Sequence, residues 1–516
     1  MTKIIFFVIF TLTLIIRLEA IDGGNIPFTT DQGRDMVDIR NIVVTHKPRL
    51  IGPTSSINGV YLGPFWYYFN LPPFIISQGN PAALLVWQII FYQLAGLASY
   101  LLIKKHLPIL AIFIAVFFLI MPLGFNTSRY SWNANAMPIF TALFLLTLFL
   151  VQEKPSQWRL ILLGLTAGLA TQIEAALGIL FFPFAFLFLL TQTRNLKKHL
   201  WHGLGFAITL LPQAVFETRH GFPLSKVLLA EIGGKSSLLG AKLTLAERLS
   251  DRYQSFHQLL QQTSHLPVKF LFPLFFLTLG LTLVLLIKHQ LKKQLARFFL
   301  INLSFIIFVS LFFLLFPSAL KSWYLLGLSV PLVFIYCLSL AATYSVKFPV
   351  AKVMVILVVL SSLVYTAIAQ VDYLKVASQM SSANKSSLKN SISAIDWVYQ
   401  HADGRGFKAY SYLPSIYDYP YQYLFWWYGK QKYGYRPNDV AYLPDQPEYI
   451  EDRSRFFTST RTLPADEITF LIIEKDQANP SFELAWLGNF SKLCLLEKID
   501  YSYGVEIRKL QKCLKK

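Results

Sequence analysis

Three carboxylates and two arginines stand together in the stretch FTTDQGRDMVDIRN near the start of the chain. Four of these charged residues recur at offsets of 0, 3, 4 and 7, so that a helix would place them on one face: Asp31, Arg34, Asp35 and Asp38. A carboxylate close to a hydroxyl can accept its proton during nucleophilic attack, and a guanidinium can bind a phosphate through two parallel N–H groups. After Asp38 the next acidic residue is Glu153. This acidic cluster is therefore the first candidate for acid–base and phosphate chemistry.

A structural explanation of the same cluster stays open beside the chemical one. Thr30 or Asp31 would cap a helix, and acidic residues in a first turn offset the helix dipole. The apolar residues form a separate stripe: Met36, Ile39 and Val43. The pattern predicts an amphipathic helix on the outer membrane surface, with its polar face turned to a cavity or to water. We favour a functional role for Asp31 and a solvated helix face for Asp35 and Asp38.

The composition places the chain among membrane proteins. Of 516 residues, 54% are hydrophobic and only 15% are charged, whereas soluble domains carry roughly 25% charged residues. The formal net charge is +19, but many of the basic residues lie in short loops between apolar runs. This distribution is a topology signal and argues against nucleic acid as a partner.

Apolar runs divide most of the chain into eleven predicted membrane spans. Several are shorter than the roughly 20 residues that a full crossing needs. They lie at 4–18, 83–103, 107–124, 136–151, 159–173, 175–191, 199–216, 267–287, 297–317, 323–343 and 349–369. The first span is predicted to be retained, although Lys3, a short apolar run and Ala20 would also fit a cleaved signal peptide.

Basic residues in the short connections predict the orientation in the membrane. The basic residues lie in five alternate short loops. The residues of each loop are Lys104 and Lys105; Lys154 and Arg159; Arg194, Lys197 and Lys198; Lys288, Lys292, Lys293 and Arg297; and Lys347 and Lys352. With eleven spans, all of these loops lie on one side, which the positive-inside rule makes cytoplasmic. We therefore expect a plasma-membrane protein with a membrane domain over 1–370. Its first outer loop, 19–82, is long, and an extracytoplasmic domain follows over 371–516.

The tail over 371–516 is predicted to be a small α/β domain. It is richer in charged and turn-forming residues and has no run long enough to span a membrane. The stretch NSISAIDWVYQHA has the apolar spacing of a helix, and ITFLIIE is typical of a buried strand. An aromatic stretch, YSYLPSIYDYPYQYLFWWYGKQKYGY, would suit stacking on sugar rings, anchoring at the lipid headgroups or simple core packing.

The three cysteines exclude a cysteine-rich scaffold. Cys337 lies inside an apolar run, where core packing is the simplest explanation. Cys494 and Cys513 flank a hairpin pattern: if Tyr503 and Gly504 form a two-residue turn, the two cysteines face each other on neighbouring strands. A disulfide would then form in an oxidising compartment, but a shift of register by one residue would remove it.

The stretch GPTSSINGVYLGPFWYYFNLPPF, which follows the acidic cluster, joins Gly-Pro turns to aromatic residues. Residues 28–74 together resemble the first outer loop of the GT-C superfamily of membrane glycosyltransferases, in the branch of protein O-mannosyltransferases and aminoarabinose lipid A transferases. Members of that branch carry an Asp-Glu-x-x or Asp-Glu-x-Arg motif after the first span, which here is Asp31-Gln32-Gly33-Arg34. The Pro-aromatic segment that follows in the family is here Gly63-Pro64-Phe65-Trp66-Tyr67-Tyr68. The eleven-span layout and the outer tail are also similar.

The resemblance implies an inverting glycosyltransferase that takes a sugar from a polyprenyl-phosphate carrier and passes it to a hydroxyl of a lipid, glycan or protein acceptor. Transfer would occur at the outer face of the membrane. Asp31 would be the general base, and Arg34 would hold the lipid phosphate, with Asp35 a further candidate for substrate binding. A carboxylate base and a guanidinium beside the leaving phosphate are what such a reaction needs.

Three departures from the family pattern limit what carries over. Gln32 replaces the second acid of the motif, which puts a metal-binding role there in doubt. Ahead of Pro64, where relatives often have a charged residue or His, this chain has Gly63 and two uncharged residues before it. The second outer loop, FNTSRYSWNANAMP, has two asparagines where relatives often carry another acid.

Four further residues are candidates for substrate binding on the outer side: Gln172, Glu174, Arg129 and Lys321. Glu174 lies between two predicted spans, where an ionisable group is costly unless it faces a polar cavity or a partner. It would bind sugar hydroxyls or serve as a structural partner, and Gln172 is its neighbour. Arg129 would support the phosphate or be a plain loop cation. Lys321 would meet the phosphate or extend to the membrane surface.

The sequence points to no cofactor with certainty, although a divalent metal remains possible. The nine histidines show no His-x-x-x-His or acid-rich ligand spacing, and no Gly-rich phosphate loop is present. A nucleotide-sugar donor would be handled on the cytoplasmic face, where only short loops are predicted, and this favours a lipid-linked donor. Two alternatives stay open: a transporter or flippase of lipid-linked saccharides, and an inactive relative that binds polyprenyl phosphate. No pair of similarly interrupted spans supports the transporter.

Overall fold

The computed structural model describes residues 2–513 except 56, 58, 106, 193–195, 233–241, 416, 447, 451–466 and 502. The chain forms two compact units, each built from several segments. The first comprises Met1–Leu18, Arg49–Phe69 and Trp87–Tyr373, and the second comprises Glu19–Pro48, Asn70–Val86 and Leu374–Lys516. These units are defined by packing, whereas the predicted boundary at 370 separates membrane from outer regions, so that boundary stays a prediction.

Helices make up nearly all of the chain before the tail. They are α1 (Thr2–Glu19), α2 (Thr30–Thr45), α3 (Phe65–Ile76), α4 (Pro81–Lys104), α5 (Pro108–Leu119), α6 (Pro122–Thr127), α7 (Met137–Glu153), α8 (Gln157–Ile173), α9 (Ala175–Gly178), α10 (Phe181–Gln192), α11 (Leu196–His220), α12 (Pro223–Ile232), α13 (Leu245–Thr263), α14 (Val268–Ile287), α15 (Lys293–Leu315), α16 (Ser329–Tyr344) and α17 (Pro349–Ser378). Short 3₁₀ turns lie at Asp22–Gly24, Asn133–Ala136 and Ser322–Leu328.

Every predicted span falls on helical structure, which confirms a polytopic α-helical membrane protein. Among the residues that the structure describes, six segments are long and apolar enough to cross a membrane: Lys3–Gly24, Pro81–Lys104, Asn133–Glu153, Lys293–Leu315, Ser322–Tyr344 and Pro349–Ser378. The same described part of the chain contains three shorter apolar helices: Leu110–Leu119, Ala175–Thr191 and Phe272–Ile287. The number of eleven spans stays a prediction, because some predicted spans are interrupted. The run 107–124, for example, is split where Pro122 begins a new helix.

The closest helix packing in the first unit joins α8 and α11. A Cβ atom at Gly164 would lie 2.0 Å from the backbone oxygen of His202, and one at Gly205 would lie 2.1 Å from that of Ile161. Only glycine permits backbones to approach this closely, which is a common device between membrane helices. The contact packs α11 against α8, the helix that carries Gln172 near its end.

The described part of the tail folds into a five-stranded sheet with helices, which confirms the predicted small α/β domain. The strands are β1 (Lys408–Tyr412), β2 (Asp439–Ala441), β3 (Thr469–Glu474), β4 (Leu493–Tyr501) and β5 (Val505–Lys512). The helices are α18 (Met380–Ala383), α19 (Leu388–Ala402), α20 (Tyr419–Leu424), α21 (Lys430–Tyr433) and α22 (Pro480–Gly488), with a π-helical turn at Phe425–Gly429. The strand order is β2-β1-β3-β5-β4; β1 pairs in parallel with β2 and β3, and the other pairs are antiparallel.

Side chains that alternate along the strands give the sheet two apolar faces. On one face Trp486 of α22 lies 5.5 Å from the ring of Tyr412. On the other face Trp397 of α19 lies 6.0 Å from the ring of Phe470. The predicted helix NSISAIDWVYQHA and the predicted buried strand ITFLIIE are both confirmed, as α19 and β3.

The structure contains the predicted disulfide between Cys494 and Cys513, with Cα atoms 5.0 Å apart. The predicted strand register, which placed the two cysteines opposite each other, is wrong. Tyr501 pairs with Val505, so the turn is longer than the predicted two residues. A bulge between Leu495 and Glu497 then shifts the register, so that Cys494 pairs with Gln511. Cys337 is buried and unpaired with another cysteine, as expected.

Candidate active site

Helix α2 carries the acidic cluster and begins with a cap that uses the motif itself. Thr29 precedes the helix with extended backbone. The Oε1 atom of Gln32 accepts hydrogen bonds from the backbone N–H of Thr29 at 2.9 Å and from its hydroxyl at 2.8 Å. This is the reciprocal half of a capping box. Gln32 therefore has a structural task at the position where family members carry a second acid.

Gly33 allows α2 to contact α20 within the second unit. A Cβ atom at Gly33 would lie 2.5 Å from the backbone nitrogen of Pro420 and 2.8 Å from the carbonyl carbon of Tyr419. Both obstacles are backbone atoms, which cannot rotate away. In the Asp31-Gln32-Gly33-Arg34 motif, Gly33 is thus required for the packing of the helix turn that carries Asp31 and Arg34.

Arg34 joins two carboxylates on α2. Its Nη1 lies 2.9 Å from Oδ1 of Asp31, and its Nη2 and Nε lie 2.8 and 3.1 Å from Oδ1 of Asp35. The side chain of Asp31 is 37% exposed, whereas that of Asp35 is 2% exposed. A guanidinium held on both sides fixes the position of the exposed carboxylate. Asp31 is therefore accessible and oriented, while Asp35 is an internal anchor for Arg34.

The predicted solvated polar face is wrong for Asp35, because α2 is buried on several sides. Its buried residues are Gln32, Gly33, Asp35, Met36, Val37, Ile39, Arg40 and Ile42. Arg40 lies 5.0 Å from the ring of Trp426, and burial lowers its pKa to about 10. The apolar stripe of α2 could be predicted from the sequence. The contacts on the opposite side of α2 could not, because they depend on the aromatic stretch of the tail.

In the first unit, Gln172 connects three elements at the end of α8. Its Oε1 accepts from the backbone N–H of Phe65 at 3.0 Å, and its Nε2 donates to the carbonyl of Thr209 on α11. A Cβ atom at Gly63 would lie 2.3 Å from Oε1 of Gln172. Gln172 therefore supports the Pro-aromatic segment, a role that its sequence position did not indicate.

Glu174 stands in extended backbone between α8 and α9 and is buried. Its Oε1 accepts from the N–H of Ala176 at 3.0 Å, and its Oε2 accepts from the N–H of Leu177 at 2.9 Å. Both carboxylate oxygens thus cap the helix that follows. This is the structural alternative left open by the sequence, and a role in sugar binding stays a prediction.

Arg129 lies in the loop after α6 and is 7% exposed. Its guanidinium carbon lies 5.5 Å from the ring centroid of Tyr373, whose hydroxyl donates to the carbonyl of Phe125. Within the part of the chain that the structure describes, its Nε and Nη2 atoms have no hydrogen-bond partner. Burial lowers the pKa of Arg129. A buried guanidinium with unused N–H groups is a site that an anion would stabilise.

Lys321 is exposed and precedes the 3₁₀ turn Ser322–Leu328. Its Nζ lies 5.3 Å from the ring centroid of Trp323, whose ring is 5.3 Å from that of Trp132. Because Trp132 belongs to the same loop as Arg129, this aromatic pair joins that loop to the turn that follows Lys321. The use of Arg129 and Lys321 in phosphate binding stays a prediction.

Two further residues of the first unit support the Arg129 loop, and the sequence reasoning missed both roles. Arg17 of α1 is fully buried; its Nε donates to the Ser128 hydroxyl at 3.1 Å and its guanidinium lies 3.9 Å from the ring of Phe125. The signal was an arginine inside an apolar run. Asn133 donates to the carbonyl of Ile173 at 2.6 Å, which ties the loop to the end of α8.

A resident metal ion finds no ligand set in the described part of the chain. No group of three or more His, Cys, Asp or Glu side chains that could hold a metal occurs there.

Comparisons with known proteins bear on the fold and the family. Residues 64–216 match the family described as Dolichyl-phosphate-mannose-protein mannosyltransferase. ArnT from Cupriavidus metallidurans bound to undecaprenyl phosphate is 11% identical, with 97% of each chain covered and a TM-score of 0.59. The apo state of that protein gives 12% identity at the same coverage and TM-score.

A weaker likeness is to the oligosaccharyltransferase of Archaeoglobus fulgidus in complex with Zn and sulfate. It is 14% identical, covers 90% of this chain and 68% of that one, and has a TM-score of 0.44, too low to support an argument. No curated protein matches the chain in sequence. The fold is shared with ArnT over nearly the whole length, and the family match includes the Pro-aromatic segment and the loop of Arg129. The predicted resemblance to the GT-C superfamily of membrane glycosyltransferases is thereby confirmed.

Proposed function

We propose that this protein is an inverting glycosyltransferase that moves a sugar from a polyprenyl-phosphate carrier to an acceptor hydroxyl at the outer face of the plasma membrane. The observation that carries the proposal is the exposed Asp31 carboxylate held at 2.9 Å by Arg34 on a helix cap. The family match over 64–216 and the fold shared with a protein bound to undecaprenyl phosphate support it.

The reaction assigns Asp31 the role of general base. As the acceptor oxygen bonds to the anomeric carbon, its proton passes to the Asp31 carboxylate, because an alcohol is a weak nucleophile without such a base. The bond between that carbon and the phosphate oxygen breaks, and its electron pair leaves with polyprenyl phosphate. Attack opposite to the leaving group inverts the anomeric centre.

The phosphate role is better suited to Arg129 than to Arg34. Arg34 is already paired with Asp31 and Asp35, so that an added phosphate would compete with two carboxylates. Arg129 is buried with two unused N–H nitrogens in the described structure and would gain charge-assisted hydrogen bonds from the leaving phosphate. Arg34 would then be a positioning residue for Asp31.

The disulfide supports the outer placement of the tail. Disulfides persist in oxidising compartments and are rare in the cytosol, and Cys494 is bonded to Cys513. The distribution of basic residues in short loops gives the same orientation. The tail and the loop that carries α2 would then both face outside.

The decisive experiment follows transfer of radiolabelled sugar from polyprenyl-phosphate donors in membranes, with variants at matched expression. Asp31→Asn is expected to lose transfer by 10²- to 10⁴-fold, the usual contribution of a general base. Asp22→Asn is the matched control, because Asp22 is an exposed carboxylate in the same predicted loop. Full transfer by Asp31→Asn would refute the base assignment.

A second set of variants in the same assay distinguishes the role of Arg34 from that of Arg129. Arg34→Lys keeps the charge but loses the fork, so that kcat should fall while the KM for donor changes little. Arg129→Gln should raise the KM for donor at least tenfold, with Tyr373→Phe as a control that keeps the neighbouring ring. An unchanged KM for donor in Arg129→Gln would exclude it from phosphate binding.

A further inference from the structure

A cleft of about 720 Å³, lined by both polar and apolar groups, lies within the second unit. Its walls come from the start of α2, the turn after α18, the loops after β1 and β3, and the turn between β4 and β5. Buried Glu474 lies on its lining, while Ser415 and Gln477 are exposed at the rim. The volume is in the range of small-molecule binding sites, and neither the family motif nor the proposed chemistry accounts for it.

The position of the cleft in the sheet is one where α/β domains bind ligands. β1 and β3 are parallel neighbours, and Tyr412 pairs with Ile473 at their carboxyl ends. The segments that line the cleft, 413–415 and 474–478, follow these two strands directly. Because β2 lies on the other side of β1, the strand order reverses here. In open α/β sheets, ligands bind outside the carboxyl ends of the strands at this switch point.

The four charged residues that line the cleft are two cations and two carboxylates: Lys385, Glu474, Lys475 and Asp476. Each has a partner in the protein; Lys385 donates to the carbonyl of Lys475, and Glu474 accepts from the Ser386 hydroxyl at 2.6 Å. Lys475 lies 2.9 Å from Asp500. Oδ1 of Asp476 accepts from the backbone N–H groups of Ala478 and Asn479 at 3.1 and 2.9 Å, so the start of α22 is occupied by a carboxylate. The loop after β1 contains no glycine that would let a backbone wrap a phosphate. These features disfavour an anionic ligand.

Hydroxyls and amides supply the remaining polar surface. The lining includes Thr29, Thr30, Ser382, Ser386, Asn384 and Gln477. Tyr503 also lines it, and its ring stacks on that of Tyr501 at 5.1 Å, which holds a flat apolar surface at the cleft. Uncharged donors and acceptors beside an aromatic ring match the hydroxyl-rich, partly apolar faces of a sugar.

We propose that this cleft binds a neutral glycan, which is the acceptor of the transferred sugar. The statement that this glycan is the acceptor rests on the proposed function, whereas binding of a glycan by the cleft does not depend on catalysis. Thr30, which lines the cleft, is followed directly by Asp31, and its hydroxyl lies 2.5 Å from that of Ser415. A glycan in the cleft would thus be held by the same helix turn that carries the proposed base.

The test is binding of the purified full-length protein, in detergent, to an array of neutral, sialylated and phosphorylated oligosaccharides. Neutral glycans should be retained and the others not. Ala478→Trp, on the exposed part of the cleft wall, should weaken retention at least tenfold. Ser491→Trp is the matched control, since Ser491 is equally exposed and does not line the cleft, and its retention should equal that of the wild type.

Retention of acidic glycans alone, or no retention of any glycan by the wild type, would overturn the proposal. Unchanged retention in Ala478→Trp with an unchanged Tm would also overturn it. If Ala478→Trp fails to fold, Gln477→Ala combined with Ser415→Ala takes its place and should weaken retention several-fold. If sugar is transferred but no glycan binds, only the proposal of a neutral glycan acceptor is refuted. If glycans bind but no sugar is transferred, only the proposed catalysis is refuted.

Discussion

The amide of Gln172 occupies the space directly beside Gly63, where a Cβ atom would lie 2.3 Å from its Oε1. The same amide accepts from Phe65 and donates to Thr209. A residue predicted to bind substrate thus holds the Pro-aromatic segment against two helices. The family match begins at Pro64, immediately after this contact.

Gln172→Ala should destabilise the protein and lower transfer without changing the KM for donor. Loss of the amide leaves a buried N–H and a buried carbonyl without partners, which costs about 1–3 kcal/mol for each group. Thermal unfolding in detergent measures this as a lower Tm. Gln213→Ala is the control, because its contact with Tyr61 is longer, at 3.4 Å, and its loss should cost less. A raised KM with unchanged Tm would restore a substrate role for Gln172.

Glu174→Gln should behave as the loss of part of a helix cap. One backbone N–H would meet an amide nitrogen in place of a carboxylate oxygen, and the cost should be about 1 kcal/mol. Ser156→Ala removes the side-chain cap of α8 in a comparable way and serves as the control. We expect similar small changes in Tm for both variants and transfer within a few-fold of wild type. If Glu174→Gln alone abolished transfer at normal stability, the carboxylate would be acting on substrate.

Gly33→Ala should lower both stability and transfer, because a methyl group would collide with the backbone of α20. Overpacking of this kind costs about 1–3 kcal/mol, and any relief requires α2 to move with Asp31 and Arg34. Val44→Ala on the same helix is the control for a change of helix side chain. Measurement of Tm and of transfer should show both falling in Gly33→Ala, whereas wild-type values in that variant would contradict the observed approach to Pro420.

Stability of the second unit should fall as pH rises from about 4 to 7. Burial raises the pKa of Asp418 to about 7, from 3.8, although Gln422 donates to its two oxygens at 3.0 and 3.2 Å. The folded state therefore binds more protons than the unfolded state in this interval, and stability decreases with pH. At about 1.4 kcal/mol per pKa unit the full effect is at most about 4 kcal/mol.

Asp418→Asn should flatten this pH dependence and raise the Tm above pH 7, because no charge has to be buried. Melting curves of the full chain at pH 5 and pH 8, followed by tryptophan fluorescence, provide the measurement. Asp403→Asn, at an exposed turn, should leave the slope unchanged. Equal slopes for wild type and Asp418→Asn would show that this carboxyl does not titrate as stated.

Local patterns carried most of what could be predicted. Apolar runs locate helices because burial in a membrane demands them, and the spacing in α19 and the apolar run of β3 determine those elements in the same way. The resemblance of residues 28–74 rested on a short motif whose residues are neighbours in sequence. For these features no distant contact has to be known.

Roles that depend on exact helix starts or on distant contacts could not be predicted. Gln32 and Glu174 are caps, which only the start positions of α2 and α9 reveal. Gly33 is constrained by Pro420, almost four hundred residues away in sequence. The predicted hairpin register was wrong because the turn is longer than predicted and a bulge near Leu495 shifts the pairing again. Neither feature leaves a clear trace in composition. The two shifts together still leave Cys494 close enough to Cys513 for a disulfide.

The disulfide gives the last prediction. Cys494 and Cys513 are 19 residues apart, and closure of a loop of this length stabilises by roughly 3 kcal/mol in the chain-entropy account. Cys494→Ser combined with Cys513→Ser should therefore lower the Tm, and a reducing agent should lower the Tm of wild type but not that of the double variant. Non-reducing mass spectrometry of protein taken from cells should find the two cysteines joined. Two free thiols would contradict both the bond and the oxidising compartment that it implies for the tail.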